Sequence, residues 1–289
     1  MTPAIHLVAD VKALLGEGPV WVEREAALLW VDIKGRRLFR IDDQGLREWA
    51  TPVCVGSIAP RAAGGYIAGT DRGFYAIDLG GEGHFTPLFD PEWLLPDNRF
   101  NDGKVDRSGR FWAGTMDDLE QHASGALYRL DSPEHWAKLD DGYAVTNGPA
   151  FSPAGDILYH TDSVHRTIFR FDLASDGTVG ERSVFAQFRA EEGSPDGMTV
   201  DSEGCLWVAF WDGWAVRRLS AAGEVKQVVE VPVQRPTSVA FGGPALDRLY
   251  VTSARIGLDR AALNVQPFAG GLLMIETGYT GIAERPFAG

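Results

Sequence analysis

Cysteine is scarce in this 289-residue chain. The two present, Cys54 and Cys205, lie far apart and frame no recurring spacing. That argues against a disulfide scaffold or a Cys-x-x-Cys zinc array and reads as two free thiols in a reducing compartment. Basic charge is short as well: 27 Lys and Arg face 40 Asp and Glu, for a net charge of −13. A nucleic-acid partner needs a face rich in Lys and Arg and is not expected. No apolar run approaches the roughly 20 residues of a membrane span, so no membrane partner is expected either. The opening MTPAIHLVADVKALLGEG has neither a basic n-region nor an apolar h-region, which predicts no signal peptide and a cytoplasmic location. Helical periodicity is thin, and DPEWLL (90–95) and SPEHWAKL (132–139) read as single turns at best. The six histidines form neither a His-x-x-x-His pair nor a triad pattern, and there is no Gly-x-Ser-x-Gly elbow. The usual zinc and serine-hydrolase signatures are therefore missing.

Glycine (34), proline (16) and tryptophan (9) are plentiful, a composition that suits many short strands joined by tight turns. One unit recurs six times along the chain. It consists of a glycine or small residue, a short alternating strand, a turn, and a second strand with a bulky centre. The inner strands are read as starting at Gly18, Gly56, Gly103, Gly148, Gly197 and Ser238. The bulky centres Trp30, Ile67, Trp112, Tyr159, Trp207 and Tyr250 follow one another at 37 to 48 residues. A third strand follows each centre, as in RRLFRID (36–42) and GALYRLD (125–131). Repeats of this length with period-two alternation predict an all-β fold, a six-bladed β-propeller with four-stranded antiparallel blades around a central channel. Ile5–Ala9 and the Leu272–Glu276 region are candidates for closing the ring. No linker marks a boundary, so residues 1–289 are read as one domain.

The position just before each inner-strand start holds Glu17, Val55, Asp102, Asn147, Asp196 and Thr237. In a propeller these positions face one another across the channel. Four are Glu, Asp or Asn, with carboxylate or amide oxygens, and each of those four precedes a glycine. Such a cluster is electrostatically costly without a cation, and oxygen-only ligands favour a hard divalent ion. The competing reading is ordinary Asx-Gly turn chemistry. His160, in the strand LYHTDS, could face the channel or pack within the sheet; packing is expected. Cys205 is expected in the core and not as a nucleophile, and the centres Trp30, Trp112 and Trp207 are expected to pack between blades and not to form a ligand-stacking platform.

At LGEGPVW (15–21), NRFNDGKVDRSGRFWAGTM (98–116), TNGPAFSP (146–153) and PDGMTVDSEGCLWVA (195–209) the chain resembles the senescence marker protein/gluconolactonase, or regucalcin-like, family. The resemblance runs through nearly the whole sequence. It implies a six-bladed propeller that binds one divalent cation and hydrolyses a small-molecule sugar lactone to the aldonic acid. It places metal ligands on Glu17, Asn147 and Asp196, substrate contacts on Arg99 and Asn101, and an orienting role on Asp102. It also makes Asp196 the general base, with a hydroxide held by the ion as the alternative. Ca²⁺ is the expected ion; Zn²⁺, Mn²⁺, Mg²⁺ and Fe²⁺ suit oxygen-rich sites of this size as well. One departure stands out. Where animal-type relatives carry a substrate-contacting glutamate this chain has Leu119, flanked by Asp118 and Glu120. The rival readings are a non-catalytic calcium-binding regulator, a propeller scaffold, and a promiscuous esterase or organophosphate hydrolase using the same ion. The sequence names neither the sugar nor the oligomeric state, for which a monomer is compatible.

Overall fold

Six four-stranded antiparallel sheets stand in a ring in the computed structural model, which describes residues 3–289. The innermost strands are Gly16–Val22, Val55–Pro60, Asn98–Val105, Thr146–Phe151, Ser194–Val200 and Pro236–Gly242, in blades one to six. Blades one to five each run outward in chain order. Blade six is completed from both ends of the chain: Leu272–Ile275 is its third strand and Ile5–Ala9 its outermost, paired Ile5 to Ile275 and Leu7 to Leu273. That closure leaves no gap between first and last blade and matches the sequence expectation, as do the six blades.

The bulky centres explain why the ring holds together, because each packs against a neighbouring blade. Trp30 of blade one clusters with Ala9, Tyr250 and Leu272 of blade six. Ile67 meets Phe100 and Phe111 of blade three, and Tyr159 meets Met198 and Val208 of blade five. The rings of Trp112 and Phe151 lie 5.7 Å apart, and those of Trp207 and Phe241 6.1 Å apart, both edge to face across a blade junction. Aromatic contacts of this geometry add to area burial. Two of the tryptophans are also tied to the turn before them. Asp106 and Asp201 each accept a 2.9 Å hydrogen bond from the indole six residues on, while their other oxygen holds backbone N–H groups of the turn. The chain ends beneath the ring, where buried Phe287 donates its N–H to Pro60 and packs against Phe111.

Three sequence readings need correction. The segment 132–139 is no helical turn: His135–Tyr143 is the outer strand of blade three, with Lys138 paired to Tyr128. Its alternation is hidden because an outer strand buries only part of one face. A short helix, Arg260–Val265, capped by the Asp259 carboxylate on the Ala262 N–H, was not read. The inner strands also begin earlier than their glycines, a point that shapes the site. His160 is fully buried against Tyr143, as expected, and neither ring nitrogen has a hydrogen-bond partner among the described residues.

Asp201 also holds the Arg218 guanidinium at 2.8 Å. Asp201→Ala leaves the Arg218 Nε, an indole N–H and two backbone N–H groups without their acceptor, with the guanidinium still paired to Glu203 through Nη2, and should cost about 3 kcal/mol by urea unfolding. Burial holds the His160 imidazole down at about 3 against an ordinary 6.5. The folded protein keeps it neutral while the unfolded chain takes up the proton. Stability present above about pH 6.5 is therefore lost progressively as pH falls toward 3. His160→Phe should flatten that part of the pH profile; an unchanged slope would exclude His160 as its source.

Candidate active site

All six inner strands break register with their neighbours at the same place. The shifts fall between Glu17 and Val20, Val55 and Ser57, Phe100 and Gly103, Asn147 and Ala150, Pro195 and Met198, and Pro236 and Val239. A β-bulge inserts an extra residue and re-aims its side chain. Glu17, Asp102, Asn147 and Asp196 lie at or inside these bulges. The Asx-Gly pairs are thus bulge residues within strands and not hairpin turns. Two of the glycines show why. Gly148 has φ of 74°, a conformation that side chains other than glycine rarely take. A Cβ on Gly197 would lie 2.1 Å from the Ser238 hydroxyl of the next blade, so the inner strands approach too closely for a side chain.

A cavity of about 570 Å³ opens over one end of the channel, and Glu17, Arg99, Asn101, Asn147 and Asp196 all line it. The structure thus brings together five of the six predicted site residues, from blades one, three, four and five. Asp102 lies outside that lining, beside a smaller void on the far side of the bulges. Its carboxylate accepts from the Gly103 N–H at 2.8 Å and the Gly148 N–H at 3.2 Å, which fixes the backbone next to Asn147.

A chain of hydrogen bonds sets the orientation of these groups. Arg99 donates through Nη1 to Asn101 Oδ1 at 2.6 Å, and Asn101 Nδ2 donates to Asn147 Oδ1 at 3.0 Å. Asn147 Nδ2 donates to Ser163 Oγ at 2.8 Å, and that hydroxyl donates to the carbonyl of Pro195 at 2.6 Å, one residue before Asp196. Ser163 thus fixes the Asn147 amide nitrogen and ties it to the strand that carries Asp196. Sequence reasoning missed it, because a serine in a turn carries no signal until the fold brings it under Asn147.

The electrostatics of the carboxylates are unusual because, of the cations lining the cavity, Arg99 alone acts on Glu17 and Asp196. Burial pushes the Glu17 carboxyl well above its ordinary range, and repulsion from Asp196 and Asp102 pushes it further. Asp196 is raised for the same two reasons, burial first and Asp102 second, while Asp102 is raised by burial to about 6. Only Arg99 pulls Glu17 and Asp196 back among the side-chain charges, and Asp196 Oδ1 is buried without any hydrogen-bond donor among the described residues. Among those residues no three Asp, Glu, His or Cys side chains are grouped as a metal cage. The set here is two carboxylates and one amide oxygen. An orphaned carboxylate oxygen beside a second repelled carboxylate and an oriented amide oxygen fits a hard cation. Asp196→Asn keeps the side-chain shape and removes one repelling charge. Chelator-treated Asp196→Asn should therefore gain about 1 kcal/mol, roughly 2–4 °C in Tm, in thermal unfolding near neutral pH. A lower Tm than the chelated wild type would contradict that reading.

Comparison with known proteins agrees with this architecture. The model of the SMP-30/gluconolactonase/LRE-like region matches residues 15–255. The chain is 38% identical to the 6-deoxy-6-sulfogluconolactonase of Pseudomonas putida over 293 residues, covering 100% of both chains. It is 39% identical to the regucalcin of Homo sapiens, covering 99% of this chain and 98% of that one. The crystal structure of a calcium-binding protein, regucalcin, from Agrobacterium tumefaciens matches with a TM-score of 0.94 at 29% identity, covering 99% of this chain and 98% of the other. With its motifs, its six blades and its full-length relatives in agreement, the chain belongs to the SMP-30/gluconolactonase/LRE-like family.

Proposed function

We propose that this chain is a single-domain, divalent-metal-dependent sugar lactonase that opens an aldonolactone to the aldonic acid. The observation that carries the reading is the pair of buried, mutually repelling carboxylates, Glu17 and Asp196, at the floor of a cavity that also presents Arg99 and Asn101. Glu17, Asn147 and Asp196 would hold the ion, with Asp102 fixing the backbone beside Asn147. Ca²⁺ suits the hard oxygen set and accords with the calcium-binding relative from A. tumefaciens. The lactonase activity accords with the name of the P. putida relative. The two free cysteines suit a cytoplasmic setting.

When bound, the ion supplies Lewis-acid polarisation of the lactone carbonyl. The remaining work falls to side chains. Arg99, held at Nε by Asp118 and at Nη1 by Asn101, offers a fixed guanidinium to the oxygens of the sugar ring. Asp196 has two carboxylate oxygens, so one can face the ion while the other accepts the proton of the attacking water. Water oxygen bonds to the carbonyl carbon, the ring C–O bond breaks, and the ring oxygen leaves as a hydroxyl by taking the proton that Asp196 accepted from the water. A binding-only calcium regulator would need the same three ligands but no oriented Arg99.

A pH-indicator assay on a panel of aldonolactones tests the proposal. Asp196→Ala should lower kcat by at least about a hundredfold and weaken ion binding, while Arg99→Ala should mainly raise KM. Full activity in Asp196→Ala would remove the assigned base, and ion binding without hydrolysis of any lactone would favour the regulator.

A further inference from the structure

Lys34 is a cation at the cavity that none of the recurring motifs accounts for. It lies in the turn after the Ala27–Asp32 strand of blade one, and its Nζ donates to both oxygens of Asp118 at 2.6 and 2.5 Å. Asp118 comes from blade three and accepts from Arg99 Nε as well, at 2.5 Å. One carboxylate is therefore shared by two cations from different blades. Burial pushes Asp118 up, yet Arg99 and Lys34 hold it below the ordinary carboxylate range. Leu119, at the position where the family resemblance implies a glutamate, is 60% exposed and forms no part of the cavity wall. The residue that turns inward is Asp118, and it is occupied in holding the two cations.

Counting donors and charges shows what this corner can recognise. Arg99 uses Nε on Asp118 and Nη1 on Phe100 and Asn101, leaving Nη2 without a protein acceptor among the described residues. The Lys34 ammonium has three N–H groups and, among the described residues, makes hydrogen bonds only to Asp118. With an ion balancing Glu17 and Asp196, the group Lys34, Asp118 and Arg99 keeps one positive charge. Across the cavity Arg235 is already neutralised by Asp212 at 2.7 Å. Glu120 also lines the cavity but is exposed, where solvent and salt screen it. Both Asp118 oxygens are already engaged by Lys34 and Arg99, so the free polar groups of Lys34 and Arg99 are N–H donors, and a donor-rich, net-positive corner discriminates in favour of anionic acceptors.

We propose that Lys34 is a specificity-determining residue: positioned with Arg99 by Asp118, it recognises an acidic substituent, a carboxylate, sulfonate or phosphate ester, on the lactone away from its carbonyl. This rests on the lactonase reading and narrows its substrate class. The test is kcat/KM in the presence of Ca²⁺ for D-glucono-1,5-lactone and its 6-phosphate, with the wild type, Lys34→Met and Lys34→Arg. The wild type should favour the phosphorylated lactone by about tenfold or more. That ratio should collapse in Lys34→Met and be largely restored in Lys34→Arg. A wild type that opens both lactones equally well, or a Lys34→Met protein with an unchanged ratio, overturns the assignment and leaves the lactonase reading intact. If the wild type opens neither lactone, the lactonase reading itself fails and this inference falls with it.

Discussion

Glu17, Asp102 and Asp196 are forced into one buried region where each raises the cost of ionising another. Nothing in their own blades requires this. It follows from six bulges placed at the same register of six inner strands, which aim one residue per blade at the axis. Stability alone would favour apolar residues there, as blade two in fact has with Val55. A chain that keeps repelling carboxylates in a water-poor place is paying for a function, and a resident cation is the simplest one consistent with the oxygen donors.

The rest of the molecule can be understood as the support for that arrangement. Interblade aromatics fix the distance between inner strands, and the two chain ends complete blade six so that the ring cannot spread. Glycines after the ring residues let adjacent inner strands approach closely enough for side chains from four blades to share one cavity. Around its wall, one continuous line of hydrogen bonds runs from Asp118 through Arg99, Asn101, Asn147 and Ser163 to the carbonyl before Asp196. Such a line leaves the amide oxygen of Asn147 little freedom, which is what a preorganised site requires.

Much of this was legible in the sequence because a propeller writes its architecture as a repeat. The spacing of Trp30, Ile67, Trp112, Tyr159, Trp207 and Tyr250 gave blade number and interblade contacts, and the residue before each repeat glycine gave the channel ring. The misreadings have physical causes. His135–Tyr143 is half exposed at the rim of its blade, so tertiary position hides its strand pattern. The bulges were mistaken for strand starts because a bulge and a turn both call on glycine. Lys34 and Ser163 left no trace, since their roles depend on partners from other blades: Lys34 meets Asp118 across 84 residues of chain.

Anomalous diffraction from crystals grown with Mn²⁺, a hard ion that scatters anomalously, tests the central claim most directly. The account predicts one strong peak at the cavity floor, about 2.0–2.6 Å from oxygens of Glu17, Asn147 and Asp196. A peak elsewhere, or none at that point in crystals saturated with the ion, would contradict it.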